Sequence, residues 1–301
     1  MKRTLYFGNP ARLRKRNEQL LVQTEGLSKE ASIPIEDIGF MVLDHPEITI
    51  THSLMQALWP HGIVLLSCDE RHLPGGLMLP MEGHTLQSER FRLQVAASLP
   101  HKKKLWQQTI QQKIANQAGV LAHLGHESSN MLYWSKNVRS GDVDNMEARA
   151  AAYYWGKIFL PLEGFNRERY GDAPNAWLNY GYAIVRAMVA RSLVEAGLHP
   201  TLGIFHKNKY NAFCLADDIM EPYRPFVDCL VYKLLQETDS DTPELNTEIK
   251  KKLLQIPTLD VLQNNQLSPM QVAIQRTASS LGRSFETGNA LLLYPEFVWK
   301  D

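Results

Sequence analysis

The sequence predicts an α+β protein: a small β-rich N-terminal domain over residues 1–80, then a larger all-α C-terminal domain over residues 81–301. Three observations carry this. Short apolar runs of strand length, closed by Gly, Pro or Asn, fill the first part of the chain. From about residue 85 the apolar period becomes helical. The 301 residues, 44% of them apolar, are also enough to bury two cores.

In the first domain, Arg3–Phe7, Gln19–Gln23, Gly39–Leu43 and Ile63–Leu66 favour strands. Gly8-Asn9-Pro10, Glu25-Gly26 and His45-Pro46 punctuate them. Thr51–Trp59, with Leu54, Ala57 and Leu58 at helical spacing, predicts one short helix before the last strand. Pro74-Gly75-Gly76 marks a break, and Leu73–Gly83 reads as the linker.

Helical spacing then recurs. Gln87–Arg90 with Phe91 and Val95 suggests one helix, and Leu105, Thr109, Ile110, Lys113 and Ile114 a second. Met146–Leu160 predicts a third. Ala176–Ala196 is a long fourth, with Gly197 where a C-terminal stop belongs. Phe226, Leu230 and Leu234 mark a helix that Pro225 is placed to start. Glu237–Pro243 reads as a polar loop and Ser268–Arg283 as a last helix before a short apolar tail.

Lys+Arg and Asp+Glu both number 32, so the net charge is zero. That argues against one broad basic face coating nucleic acid, while leaving room for local basic patches. Cys68, Cys214 and Cys229 are an odd number without CxxC spacing, which fits a reducing compartment better than a disulfide framework. The basic N-terminus is not followed by an apolar core, and no apolar run approaches the roughly 18–20 residues of a membrane helix. The expected location is cytoplasmic, with no membrane contact.

Walker-type GK[ST] loops, GxGxxG, HExxH, paired CxxC and GxSxG are all missing. What remains is the stretch Gly203–Pro225, in which His206, Asp217, Asp218 and Glu221 fall within sixteen positions. An imidazole with carboxylates suits Mg²⁺, Mn²⁺ or Zn²⁺, and carboxylate-rich sets lean to Mg²⁺ or Mn²⁺. If 217–221 form a turn of helix, Asp218 and Glu221 share a face while Asp217 points roughly 100° away. Pro222 should end that turn. The chemistry alone leaves a second reading open, in which these acids merely favour the start of a helix.

The segment Asn175–Arg186, then Gly197-Leu198-His199-Pro200, then His206–Pro225 closely resembles the CRISPR-associated integrase family, the universal spacer-acquisition endonuclease. Upstream, Ser140-Gly141-Asp142 followed by Met146–Trp155 resembles that family's first catalytic segment, and Pro60–Pro80 the end of its N-terminal domain. The wording of Ala216–Pro222 is most similar to versions from type II systems.

The resemblance implies that Glu147, His206 and Glu221 are catalytic ligands of Mg²⁺ or Mn²⁺, with Asp218 an auxiliary acid. It makes Glu147 a ligand although 59 residues separate it from His206. It implies transesterification of double-stranded DNA, with spacer precursor joined to a repeat array. It further implies dimerisation through the N-terminal domain and a small ferredoxin-like partner completing a hetero-hexamer, and leaves the RNA-guided effector nuclease as a further candidate partner. A stand-alone metal-dependent nuclease is the alternative. Candidate DNA contacts are Lys102, Lys103 and Lys104 with Lys113, the group Lys207, Lys209 and Arg224, and Arg12, Arg14, Lys15 and Arg16 on an expected hairpin. Tyr153, Asn179 and Tyr182 are expected to hold DNA or to support the ligands.

Overall fold

The computed structural model describes residues 2–24, 30–160, 162, 165–168, 171, 173–238 and 244–299. The Glu25-Gly26 turn and the end of the 237–243 loop lie outside them. The chain divides into two units, Met1–Gly83 and His84–Asp301.

The first unit holds strands β1 (Arg3–Phe7), β2 (Ala11–Arg16), β3 (Gln19–Thr24), β4 (Ala31–Pro34), β5 (Ile38–Leu43) and β6 (Ile48–Ile50). Helix α1 (His52–Leu58) and strands β7 (Val64–Cys68) and β8 (Pro74–Met78) follow. They form two four-stranded sheets, ordered β1-β5-β7-β8 and β4-β3-β2-β6. Alternation sets the faces: Ala11 and Leu13 of β2 are buried while Arg12 is exposed. Asn17 and Glu18 turn β2 into β3 with positive φ, as a two-residue hairpin requires. Leu13, Leu20, Ile35, Met41 and Leu54 meet in one core.

The segment expected as a linker is in part a strand. Residues 74–78 pair antiparallel with β7, Leu66 opposite Leu77 and Ser67 opposite Gly76. Pro74 is tolerated because it is the first residue of an edge strand. The two glycines hid the pairing, since their strand propensity is low.

The second unit contains α2 (Gln87–Ala96), α3 (Leu99–His123), α4 (Ser129–Lys136), α5 (Met146–Ile158) and α6 (Asn175–Glu195). After these come α7 (Cys214–Met220), α8 (Arg224–Gln236), α9 (Thr247–Leu253) and α10 (Met270–Thr287). Helix α6 is its axis, with Trp177, Leu178, Tyr180, Ile184 and Val189 fully buried. Gly197 stops it in the left-handed region at φ 69°, and Leu198 N donates back to Leu193 O at 2.8 Å.

Among its described residues this unit is helical apart from one hairpin that the helical period did not predict, β9 (Asp260–Gln263) with β10 (Gln266–Pro269). Asn264 and Asn265, both at positive φ, make its turn. No helix among the described residues is long and apolar enough to cross a membrane.

Candidate active site

Helix α7 ends at Met220, and Glu221–Tyr223 continue as a single 3-10 turn before α8 begins at Arg224 with Pro225 in its first turn. Pro222 explains the change of winding, because its ring cannot follow residue 218 in an α-helical ladder. The turn leaves Glu221 buried, its side chain 8% exposed.

Asp217 and Asp218 part company as their spacing predicts. Asp217 is held by Arg186 (Nε–Oδ1 2.6 Å) and Asn211 (2.7 Å), a structural ion pair. Asp218 is fully buried and faces the loop before it. It accepts the backbone N–H of Ile204 (2.8 Å), Phe205 (2.9 Å) and His206 (3.2 Å), and meets His206 Nδ1 at 2.5 Å. Burial pushes its carboxyl up, but four donors favour the ionised form.

The His206 ring is thereby fixed. Nδ1 lies on the carboxylate, the ring edge rests on Trp106 at 5.6 Å, and Trp106 stacks on Phe205 at 4.2 Å. The bond to Asp218 raises the His206 pKa, partly opposed by burial. Nε2 is left as the nitrogen available to a ligand, the arrangement by which a carboxylate orients a metal-binding imidazole.

Glu147 arrives from the start of α5. Asp142 Oδ1 accepts Met146 N at 2.8 Å and Oδ2 accepts Glu147 N at 3.0 Å, so Asp142 caps the helix. Opposite, on α3, Lys113 Nζ lies 2.6 Å from Glu147 Oε1 and 2.6 Å from Glu221 Oε2. Arg224 Nε adds a contact to Glu221 Oε1 at 2.9 Å and lies with its guanidinium over the Tyr182 ring. Burial pushes the Glu221 carboxyl up, yet Arg224 and Lys113 together pull it down to about 2. Burial likewise disfavours the Lys113 ammonium, and the two carboxylates outweigh it and raise its pKa.

The contacts at Glu221 are charge contacts. Oε2 is buried and, despite the nearby ammonium, makes no hydrogen bond of proper angle, and neither does Arg224 Nε. Among the described residues no three His, Cys, Asp or Glu side chains lie close enough to enclose an ion. The ammonium bridges Glu147 and Glu221 instead. The donor set nevertheless suits a divalent cation in kind: two carboxylates drawn to one cationic group and an oriented imidazole.

On the His206 side a groove of about 360 Å³ is lined by His206, Lys102, Lys207, Lys209, Asn208 and Gln94. Eleven residues separate Lys102 from Lys113, close to three helical turns, so both face one side of α3. Lys103 and Lys104 point elsewhere, and neither lines the groove. Lys209 Nζ lies 4.8 Å from the Tyr210 ring, which is 84% exposed. On β2, Arg14 pairs with Glu30 and Lys15 with Glu18 at 2.5 Å.

A second cavity of about 260 Å³ is lined by Lys113, Glu221, Arg224, Trp155, Arg167 and Asp228. Asp228 is buried and receives the hydroxyls of Tyr154 (2.9 Å) and Tyr182. Burial pushes its carboxyl up to about 6, with those hydroxyls opposing. Tyr182 is thus a supporting residue. Asn179 accepts from Arg167 at 2.6 Å, and Tyr153 donates to Glu127 O at 2.9 Å.

Sequence reasoning missed the bridging role of Lys113, the Arg167 contacts and Asp228. Asp228 had a signal, being a carboxylate on the apolar stripe of α8 beside Val227 and Val231. Lys113 had none, since a lone lysine on an amphipathic helix is ordinarily solvated.

An N-terminal β unit, a helical unit and an acid–imidazole centre beside a lysine-lined groove define the class, and the family model for CRISPR associated protein Cas1 matches residues 5–256. The chain belongs to the Cas1 family. It is 38% identical over 299 residues to the CRISPR-associated endonuclease Cas1 of Neisseria meningitidis serogroup C, covering 98% of this chain and 96% of the relative. Among solved structures it resembles a casposase bound to integration product, with TM-score 0.81, 20% identity, and 97% and 92% of the two chains covered. It also resembles a Cas6-RT-Cas1–Cas2 complex, with TM-score 0.73, 18% identity, and 100% of this chain against 36% of that one.

Proposed function

We propose that the protein is a CRISPR adaptation integrase that joins short double-stranded DNA to the leader end of a repeat array by metal-dependent transesterification. The observation that carries this is the meeting of Glu147 and Glu221 on one cation, with His206 held by Asp218 beside them. Family membership supports it, as does the likeness to a casposase bound to integration product.

Glu147, His206 and Glu221 would hold Mg²⁺ or Mn²⁺, which when bound polarises a phosphodiester and lowers the pKa of the attacking hydroxyl. The 3′-hydroxyl of the incoming strand gives up its proton to solvent as its oxygen bonds to phosphorus, the old P–O3′ bond breaks, and the released 3′-oxygen takes up a proton. The chain's own part is placement. Asp218 fixes the imidazole, Asp142 fixes the helix start that carries Glu147, and Arg224 holds the far oxygen of Glu221. Lys102, Lys207 and Lys209 line the groove where DNA phosphates would lie, with contacts set by backbone charge and hence salt-dependent.

The assembly is read as a homodimer joined by a small ferredoxin-like Cas2 partner into a hetero-hexamer. The likeness to a Cas6-RT-Cas1–Cas2 complex supports the choice of partner. The test combines purified protein, its partner, Mn²⁺, a short duplex with free 3′-hydroxyls and a supercoiled plasmid bearing the repeat array. Joined products are expected. Cutting without joining would make the protein a nuclease alone.

A further inference from the structure

The match to the Cas1 family model stops at residue 256, yet the chain beyond it is tied to the catalytic turn. Helix α10 ends at Thr287, and the tail that follows runs along α3, touching it at successive turns. Gln108 Nε2 donates to Ala290 O (2.8 Å) and Leu292 N donates to Gln108 Oε1 (2.9 Å). Thr109 Oγ1 meets Tyr294 OH at 2.9 Å. Further along, Phe297 lies so close to Gly119 that an added Cβ there would come within 3.0 Å of it.

Asn116 is the junction. It is 1% exposed, and its amide spends its whole hydrogen-bonding capacity. Nδ2 donates to Pro222 O (2.7 Å) and to Pro295 O (3.0 Å). Oδ1 accepts from Phe297 N (3.0 Å) and Gln112 Nε2 (2.8 Å). One side chain thus links the tail to the carbonyl next to Glu221, three residues along α3 from the Lys113 that bridges the carboxylates. The other end of the turn is held from the same quarter: Tyr223 OH meets Thr277 Oγ1 of α10 at 2.6 Å, and the Tyr223 ring lies 6.3 Å from that of Tyr294.

We propose that residues 289–299 form a strut that sets the position of Glu221 through Asn116, which makes Asn116 a positioning residue for the site. The proposal rests on the reading of Glu221 as a metal ligand. A 3-10 turn of three residues has no helical ladder of its own to fix a side chain, so the carbonyl of Pro222 and the ring of Tyr223 need outside anchors. Here both anchors are C-terminal or reach the C-terminal segment.

The test uses the full chain with two variants. Asn116→Ala removes the junction, and Phe297→Pro removes the N–H that the tail donates to it together with the ring that packs on Gly119 and Phe226. Mn²⁺ affinity is measured by calorimetry, and hydrogen exchange of the 219–224 amides is followed without ion. Each variant is expected to bind Mn²⁺ about tenfold more weakly, as for loss of a residue that orients a ligand. Amides 219–224 should exchange faster while those of α6 do not. Parent-like Mn²⁺ affinity in folded Phe297→Pro protein would overturn the strut, and so would unchanged exchange in that peptide. Glu221→Ala serves as the control. If it leaves Mn²⁺ binding intact, the metal reading fails, whereas the exchange result still decides whether the tail holds the turn.

Discussion

Glu147 and Glu221 stand 74 residues apart in the chain and share one ammonium, Lys113 Nζ, at 2.6 Å from each. Two carboxylates at such range repel each other unless a cation lies between them. The ammonium therefore keeps the pair together.

Replacing it should show this. Lys113→Met leaves Glu147 without this counter-ion and Glu221 with Arg224 alone, and a broken buried pair costs about 3–5 kcal/mol. Urea unfolding without divalent ions should register a loss of that order, and added Mn²⁺ should restore most of it. A variant as stable as the parent, and indifferent to Mn²⁺, would show that the ammonium does not hold the pair.

The depressed Glu221 carboxyl sets an acid limit. Its folded value of about 2 lies below the ordinary 4.5, so its contribution is complete above about pH 4.5 and drains away as pH falls toward 2. Glu221→Gln should flatten the stability profile in that window. A profile parallel to the parent's would place the acid sensitivity elsewhere.

His206 works in the opposite sense. Its folded pKa is raised above 6.5, so its stabilising contact with Asp218 is complete below pH 6.5 and is lost as pH rises through the folded value. Metal binding needs the neutral ring. Mn²⁺ affinity should therefore climb through the same interval in which the ion-free protein loses stability. Asp218→Asn should weaken Mn²⁺ binding by about 10–100-fold. Calorimetric titrations at several pH values check both, and affinity independent of pH would remove His206 from the ligand set.

The groove lysines make a separable prediction. Lys102→Ala, Lys207→Ala and Lys209→Ala should each lower the slope of log K against log salt for duplex DNA by about 0.9, one phosphate contact apiece. Mn²⁺ affinity should stay at the parent's value. Unaltered salt slopes in all three would mean that DNA lies elsewhere.

Sequence alone revealed the elements whose own residues state their period. Strands β1, β5 and β7 are apolar runs, and α6 carries both its pattern and its stop at Gly197. Strands β4, β6 and β8 are short and partly exposed, and β9–β10 hides inside a helical unit, so pairing rather than pattern makes them. In the site, Asp217 pairs with Arg186 while Asp218 meets His206, different partners for two acids adjacent in sequence. Lys113, grouped with surface lysines on charge alone, is in fact partly buried between carboxylates that arrive from α5 and the 221–223 turn. Tertiary packing created that environment, and no local spacing encodes it. Glu147 was legible only through resemblance, for the same reason.

The most direct test asks whether the three residues act as one site on DNA. Glu147→Ala, His206→Ala and Glu221→Ala are assayed with Mn²⁺, the partner protein, a short duplex and the repeat plasmid, after circular dichroism has shown each folded. Loss of joined product in all three, together with loss of Mn²⁺ binding, is the predicted result. Joined product at parent levels in the three folded variants would contradict the assignment.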